Sequence, residues 1–380
     1  MMKTETDKPK RIQGLDAVRG LIIVLMALDH ANHFIAQQHS SGEYWGGGFP
    51  AYSEALPFLT RFVTHFCAPG FSFLLGIGMM LLADARRRQG WSMGKIRRFL
   101  IVRGLVLIGL QFLIINRAWE WSPSGWEVQT YVGVLFALGG GMIIGSLMLR
   151  LSRGWLLGIA IVVTLLFEWL TPAPEMWGQF QVQSAIDRLN WWLLRTGGDL
   201  IVWSNYPVLQ WLEFTLFGMF FGRWLLDENR KPIQSVWKIG VALLAGFVVV
   251  RGLDSFGNIR PRLGDSWIDW LNVVKYPPSI SFTFLTMGVN LIFISWFDRL
   301  AQSRPVWLQP LVWLGQAPLF FYIAHLFLYA AIGNELVPTG TSLGGMYLWW
   351  LGGVIVLLPL TYWFGRFKRS QSPDSILRLF

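Results

Sequence analysis

Apolar runs of about 20 residues, separated by short polar stretches, recur along almost the whole chain. A helical run of that length matches the hydrocarbon thickness of a bilayer. The pattern predicts ten membrane-spanning helices, at 15–36, 60–83, 97–116, 131–149, 155–171, 208–226, 236–252, 279–298, 310–332 and 347–366. Backbone groups in hydrocarbon must satisfy one another, so the expected fold class is an all-α polytopic integral membrane protein.

The polar stretches fix an orientation. The 84–98 loop carries Arg86, Arg87, Arg88, Lys95, Arg97 and Arg98. Alternate loops then carry Arg150 and Arg153, Arg230 and Lys231, and Arg299 and Arg304, and the tail adds Lys368, Arg369 and Arg378. The loops 37–59 and 333–346, on the other side, have no lysine or arginine. This is the positive-inside distribution, and an even span count leaves both termini cytoplasmic. The expected organisation is a single transmembrane domain over 1–380, with tails at 1–12 and 367–380 and a helical core at 15–366. The first apolar stretch follows Lys3, Lys8, Lys10 and Arg11, as in a signal peptide. It is too long for one, contains Asp29 and His30, and lacks a small-residue cleavage site, so it reads as an uncleaved first helix. Two outer loops are long, 172–207 and 253–278. Their tryptophans, including Trp191, Trp192 and Trp203, suit either an interfacial belt or a substrate-facing surface.

Composition agrees with a membrane protein. The chain is 53% hydrophobic and 14% charged, with a mean hydropathy of +0.44, against about 25% charged in soluble domains. The net charge of +10 sits between the spans, so no nucleic-acid partner is expected. With Cys67 as the only cysteine, no intrachain disulfide forms. No C-x-x-C or Walker loop is present, and no internal repeat or low-complexity tract.

Against this apolar background a few polar groups stand out. Arg19 and His30 lie eleven positions apart on the first helix, nearly three turns, so they share a face about 16 Å apart. Ionisable groups at that depth are costly and point to function. His30 shares a face with His33, and Asp29 meets His33 at i,i+4. A carboxylate beside an imidazole fixes its tautomer and raises its basicity; the alternative is a hydrogen-bonded histidine bridging helices. All five histidines (His30, His33, His39, His65 and His325) fall in the outer half of the membrane or just beyond, which predicts one outward-leaning polar cavity. Pro69 cannot bond the carbonyl of His65, so a kink is expected there. Cys67 has apolar neighbours and is a weak nucleophile candidate. Tyr322, His325 and Tyr329 form an i, i+3, i+7 stripe, either packing or cavity lining. Pro277 and Pro278 open the eighth helix, which is structurally natural for proline. Gly141-x-x-x-Gly145 and Gly218-x-x-x-Gly222 predict close helix contacts. On the inner side, Arg19 and the basic 86–98 cluster suit anionic lipid or the phosphates of a nucleotide-tailed donor such as coenzyme A.

The motif Leu15-Asp16-x-x-Arg19-Gly20, with His30 following, resembles the integral-membrane acyltransferases that O-acetylate bacterial surface polysaccharides. The chain is more similar to a bacterial branch bearing the heparan-α-glucosaminide N-acetyltransferase catalytic domain. The matching segments are Met26-Ala-Leu-Asp29-His30, Thr64-His65-Phe-Cys67-Ala-Pro69, Tyr276-Pro277-Pro278-Ser279 and Pro318-Leu-Phe-Phe-Tyr322-Ile-Ala-His325, spanning residues 11 to 366. The resemblance implies an enzyme of ten to eleven helices in the bacterial cytoplasmic (inner) membrane. It would pass an acyl group, acetyl by expectation, from cytosolic acyl-CoA to a glycan or amino-sugar acceptor on the far side. In the lysosomal branch the catalytic histidine falls in the region after the first helix, which leaves His39 as an alternative to His30.

On this reading Arg19, Arg97 and Arg98 hold the donor's phosphates. His30 is the general base or a transient acyl carrier, with Asp29 and His65 orienting and stabilising. Arg61 or Asn116 steadies the oxyanion, and Tyr322 and His325 face the acceptor. Membrane lipid is the surrounding partner, and a homodimer is compatible with the sequence. Two other readings stand beside this one. A transporter or flippase without chemistry would also use buried charge and a kinked helix. A metal site could draw on His30, His33, His65 and Asp29, although no metal is expected.

Overall fold

The computed structural model describes residues 12–40, 43, 49–123, 125–171 and 184–371. The expected basic residues Lys3, Lys8, Lys10, Arg11 and Arg378 and the 172–183 part of the third outer loop lie outside the described residues.

Helices account for nearly all of the ordered structure. α1 (Gln13–Ala31) continues into a π turn, Asn32–Ala36. α2 (Ala55–Phe62), a 3₁₀ turn (Val63–Phe66) and α3 (Cys67–Arg88) form one rod of 34 residues. α4 (Met93–Leu110) is joined to α5 (Asn116–Glu120) by a π turn, Gln111–Ile115. α6 (Val134–Leu147), α7 (Arg153–Leu170), the short α8 (Ala185–Leu193) and α9 (Val208–Asp227) follow. α10 (Pro232–Ser235) runs into α11 (Trp237–Leu253), and the short α12 (Trp267–Leu271) precedes α13 (Ile280–Ser303). α14 (Gln309–Gln316), α15 (Pro318–Ala331), a π turn Ile332–Leu336 and α16 (Leu343–Ser370) complete the chain. Each predicted span falls on one of these rods. Among the described residues seven are long and apolar enough to cross a membrane by themselves, and α1, α6 and α9 pack among them. The chain is an all-α polytopic membrane protein.

Local rules explain the ends and breaks. Ser92, Ser152, Ser279 and Ser342 each accept a backbone N–H from the first turn of the following helix, satisfying a donor that has no intrahelical partner. The expected break near His65 takes the form of the 3₁₀ turn Val63–Phe66, just ahead of Pro69. The rod over 310–332 is interrupted at Ala317, whose φ of −132° and ψ of 55° are non-helical. Pro318 imposes this, since its ring clashes with a helical preceding residue.

Small residues let backbones meet. A Cβ on Gly20 would lie 1.9 Å from the carbonyl oxygen of Leu311, and one on Gly315 would lie 1.9 Å from that of Asp16. α1 and α14 therefore cross in backbone contact, beside the Ala317 break. Gly218 makes the expected close approach: its Cβ would meet the Phe73 carbonyl oxygen at 2.0 Å, bringing α9 onto α3. The Ala55–Arg88 rod and α13 bury 72% of their most apolar stretches, whereas α7 and α16 bury 17%. The former are central and the latter face lipid.

Three short strands on the outer side were not foreseen. β1 (Thr130–Val132) pairs in parallel with β3 (Val202–Ser204), and β2 (Gly197–Gly198) pairs antiparallel to β3. Runs of two or three residues carry no readable alternation. The strands fasten the segment before α6 to the loop before α9, placing Tyr131, Asn205 and Tyr206 at one site.

Candidate active site

Two cavities lie in the middle of the helical core. We call the side bearing the basic loops inner. The inner cavity, about 300 Å³, carries Arg19, Arg103, Gln316 and Lys368 among apolar residues of α3, α4 and α6. The outer cavity, about 110 Å³, is lined by Asp29, His30, His33, His39, Arg61, Thr64, Cys67, Lys275 and Tyr276, with an aromatic wall of Trp119, Trp126 and Tyr131. Met26, Phe71, Val134 and Tyr322 line both cavities. A basic chamber and a histidine-rich chamber thus share one wall of four side chains.

Arg19 is held at the inner chamber by Asp16 (2.9 Å) and by the carbonyl of Gly315 (3.0 Å), a group brought there by the α1–α14 crossing. The two other arginines expected to hold phosphates do not line this cavity. Arg97 donates to the Leu147 carbonyl at 3.2 Å, and Arg98 is exposed. They lie nearer the start of α4, and the next inward face of that helix presents Arg103, which no motif signalled. Its buried Nε has no hydrogen-bond partner.

His30, one turn beyond Met26, lies where the shared wall meets the outer chamber, with its ring packed edge-on to Tyr322 at 6.1 Å. Its tautomer follows from its partners. His325 Nδ1 lies 2.7 Å from the Phe321 carbonyl oxygen and must donate to it, so neutral His325 accepts at Nε2. His30 Nδ1 lies 2.7 Å from that Nε2 and therefore carries the hydrogen. The Nε2 lone pair of His30 is left for the cavity that His30 lines. His325 acts behind His30 and does not line the outer chamber. The expected carboxylate partner of His30 is thus replaced by a second imidazole.

Asp29 is committed elsewhere. It accepts from Arg61, from the Thr64 hydroxyl (2.8 Å) and from His39 (Nε2 to Oδ1, 3.3 Å). Arg61 Nε donates to Glu43 at 2.7 Å and a second nitrogen bonds the other Glu43 oxygen, so the guanidinium bridges two carboxylates. His65 sits behind this cluster, 3.1 Å from Glu43, and does not reach the cavity. Burial disfavours the Glu43 carboxylate, but Arg61 and His65 outweigh burial and hold it well below the usual carboxylate range. Glu43 was missed in the sequence because a lone acid in a polar loop gives no pattern.

Asn116 lies away from the chamber, with its amide against the Gln111 side chain and the Tyr131 backbone. Cys67 points back into the core toward the Ile22 carbonyl (3.4 Å). His33 approaches the Ser122 hydroxyl at 3.3 Å. Among the described residues no group of three or more His, Cys, Asp or Glu side chains is placed to hold a metal ion. The long outer loops contribute to the site through Asn205, Tyr206, Lys275 and Tyr276. Their tryptophans do other work: Trp192 packs on Phe112 and Phe136, and Trp203 bonds Asn205 at 2.8 Å.

Fold and site together define a membrane protein whose two polar chambers approach each other in the middle of the helical bundle. The acyltransferase-domain family matches residues 12–366, and the chain belongs to that family. No curated protein matches the chain.

Proposed function

We propose that the protein passes an acyl group, acetyl by preference, from cytosolic acyl-CoA to a glycan or amino-sugar acceptor across a bacterial cytoplasmic membrane. Within the acyltransferase family we read it as a member of the branch that resembles heparan-α-glucosaminide N-acetyltransferase, on the segments around Asp29-His30, His65, Tyr276-Pro277-Pro278 and His325. The observation that carries the proposal is the wall of Met26, Phe71, Val134 and Tyr322 shared by the two chambers. Arg19, Arg103 and Lys368 suit the phosphates of the donor, with arginine offering a permanently charged fork. The pantetheine arm then reaches the wall, and the thioester meets His30.

In this mechanism His30 Nε2 takes the proton of the acceptor hydroxyl or amine as the acceptor attacks the thioester carbonyl. The carbon–sulfur bond then breaks, and the proton passes to the departing thiolate. Of the two candidate histidines, His30 fits this step because it stands at the shared wall with a fixed lone pair. His39, paired with Asp29, stands further out and orients the acceptor with Arg61 behind it. Trp119, Trp126 and Tyr131 offer flat faces for a sugar ring.

The test uses purified protein in liposomes with radiolabelled acetyl-CoA inside and glucosamine outside as the acceptor probe. Labelled N-acetylglucosamine outside is the expected product, and His30→Ala should fold and make none. Glucosamine crossing without acetyl-CoA consumption would make the protein a transporter, and full transfer by the variant would remove His30 from the chemistry.

A further inference from the structure

Acyl transfer from a thioester passes through a tetrahedral oxyanion, which needs a donor or a cation beside it. Arg61, the obvious candidate, is engaged by both Asp29 and Glu43. Asn116 lies outside the chamber. Among the described residues that line the outer chamber, one further basic side chain besides the histidines remains, Lys275.

Lys275 sits in the short loop between α12 and α13 and is only 3% exposed, yet it lines the outer chamber. The loop is firmly held. The backbone N–H groups of Lys275 and Tyr276 both donate to the Glu43 carbonyl, at 3.3 and 3.2 Å, and the Ser279 hydroxyl donates to the Val274 carbonyl at 3.1 Å. The ammonium lies 5.0 Å from the centre of the Tyr276 ring, and among the described residues it forms no ion pair with a carboxylate. The charged and titratable groups nearest it are Asp29 on α1, Arg61 on α2, His65 in the turn that follows, Cys67 on α3, Glu43 in the first outer loop and Tyr276 in its own loop; His30, His33, His39, Tyr131, Tyr206 and Tyr322 face the same chamber. The two carboxylates among them are already gripped by Arg61. A cation this deeply buried, with no carboxylate paired to it among the described residues, is costly unless an anion joins it. Burial, with Arg61 nearby, lowers its pKa to about 8.

We propose that Lys275 holds the oxyanion of the acyl-transfer intermediate, opposite the base His30. This rests on the acyltransferase reading above. As the acceptor oxygen or nitrogen bonds the thioester carbon, the carbonyl π pair moves to oxygen and the acceptor proton to His30. The Lys275 ammonium faces the new negative charge. When the carbonyl reforms, the carbon–sulfur bond breaks, and the thiolate takes the proton back from His30. A cavity of about 110 Å³ has room for this reacting centre, and the two carboxylates disfavour a permanently anionic substituent there.

The experiment compares wild type, Lys275→Met and Lys275→Arg in the liposome assay. Lys275→Met should lower kcat by about 10²- to 10³-fold, with KM for acetyl-CoA and for glucosamine changed less than about twofold. Lys275→Arg should recover at least about tenfold of that loss. The wild-type rate should fall above about pH 8 as the ammonium deprotonates, and this limb should move to higher pH in Lys275→Arg. If Lys275→Met does not fold, the pH limb of Lys275→Arg decides alone. A kcat in Lys275→Met within about threefold of wild type, a loss confined to KM, an unmoved pH limb, or an acetylated Lys275 found by mass spectrometry would overturn the proposal. A wild type that transfers nothing defeats the parent reading and this one with it, whereas an active wild type with an unaffected Lys275→Met defeats this one alone.

Discussion

The His325–His30 relay makes a quantitative prediction, because His325 does not line the chamber and acts only through its neighbour. In His325→Phe the new ring fits among Phe321, Tyr322 and Tyr329, which already pack around the imidazole. What is lost is the acceptor 2.7 Å from His30 Nδ1. His30 is 8% exposed, so an unpaired Nδ1–H there costs about 1–3 kcal/mol. That cost falls only on the tautomer with its lone pair at Nε2, the one able to act as a base. The opposite tautomer gains by the same amount, and the productive population should fall by about 5- to 150-fold. The assay is single-turnover acetyl transfer in liposomes at saturating acetyl-CoA. His325→Gln restores both an acceptor for His30 and a donor for Phe321, and should recover most of the rate. Equal rates in His325→Phe and wild type would refute the relay. So would a His325→Gln variant as slow as His325→Phe with its melting temperature intact, because orientation of His30 would then not be what His325 supplies.

Other expectations follow from the charges. Arg61→Met leaves Asp29 and Glu43 buried without their cation and should cost about 3–5 kcal/mol, seen as a lower melting temperature in detergent; adding Glu43→Gln should recover part of it. Arg103→Leu should raise KM for acetyl-CoA by about 10- to 100-fold through the loss of charge-assisted bonds, with Arg98→Leu unchanged. Steady-state kinetics separates the two, and equal effects would return the donor to the loop cluster. Because the Glu43 pKa is depressed in the fold, its stabilisation is complete above the ordinary value of 4.5 and is lost as pH falls below it. Melting temperature should therefore drop more steeply between about pH 5 and pH 3 in wild type than in Glu43→Gln.

The helices were legible because hydrocarbon forces long apolar runs, and basic loops mark one side. The Arg19–His30 face was legible for the same reason: charge on such a helix is conspicuous. Partnerships were not. Asp29 looked like the companion of His33 or His30 because helical neighbours are visible in sequence, whereas its true partners Arg61 and His39 arrive from another helix and a loop. His325 was read as part of an aromatic stripe, and only the crossing of α15 beside α1 turns it into the orienter of His30. Arg103 carried a readable signal, an arginine well inside an apolar run, that was overshadowed by the denser cluster before it. Lys275 and Glu43 sit in irregular loops, where no period exists to read. Arg97 and Arg98 were favoured by abundance, and the cavity is lined by other positions.

The wall of Met26, Phe71, Val134 and Tyr322 has a consequence for the cell as a whole. A membrane that stores energy as an ion gradient cannot tolerate a continuous wet bore through its thickness. Three aliphatic or aromatic plugs and one phenol keep the two basins from joining into a leak, since small ions would have to shed their hydration to pass. In the energised membrane proposed for this protein, the same four positions would act as electrical insulation, and replacing one of them with a small polar residue should be felt first as a loss of membrane potential.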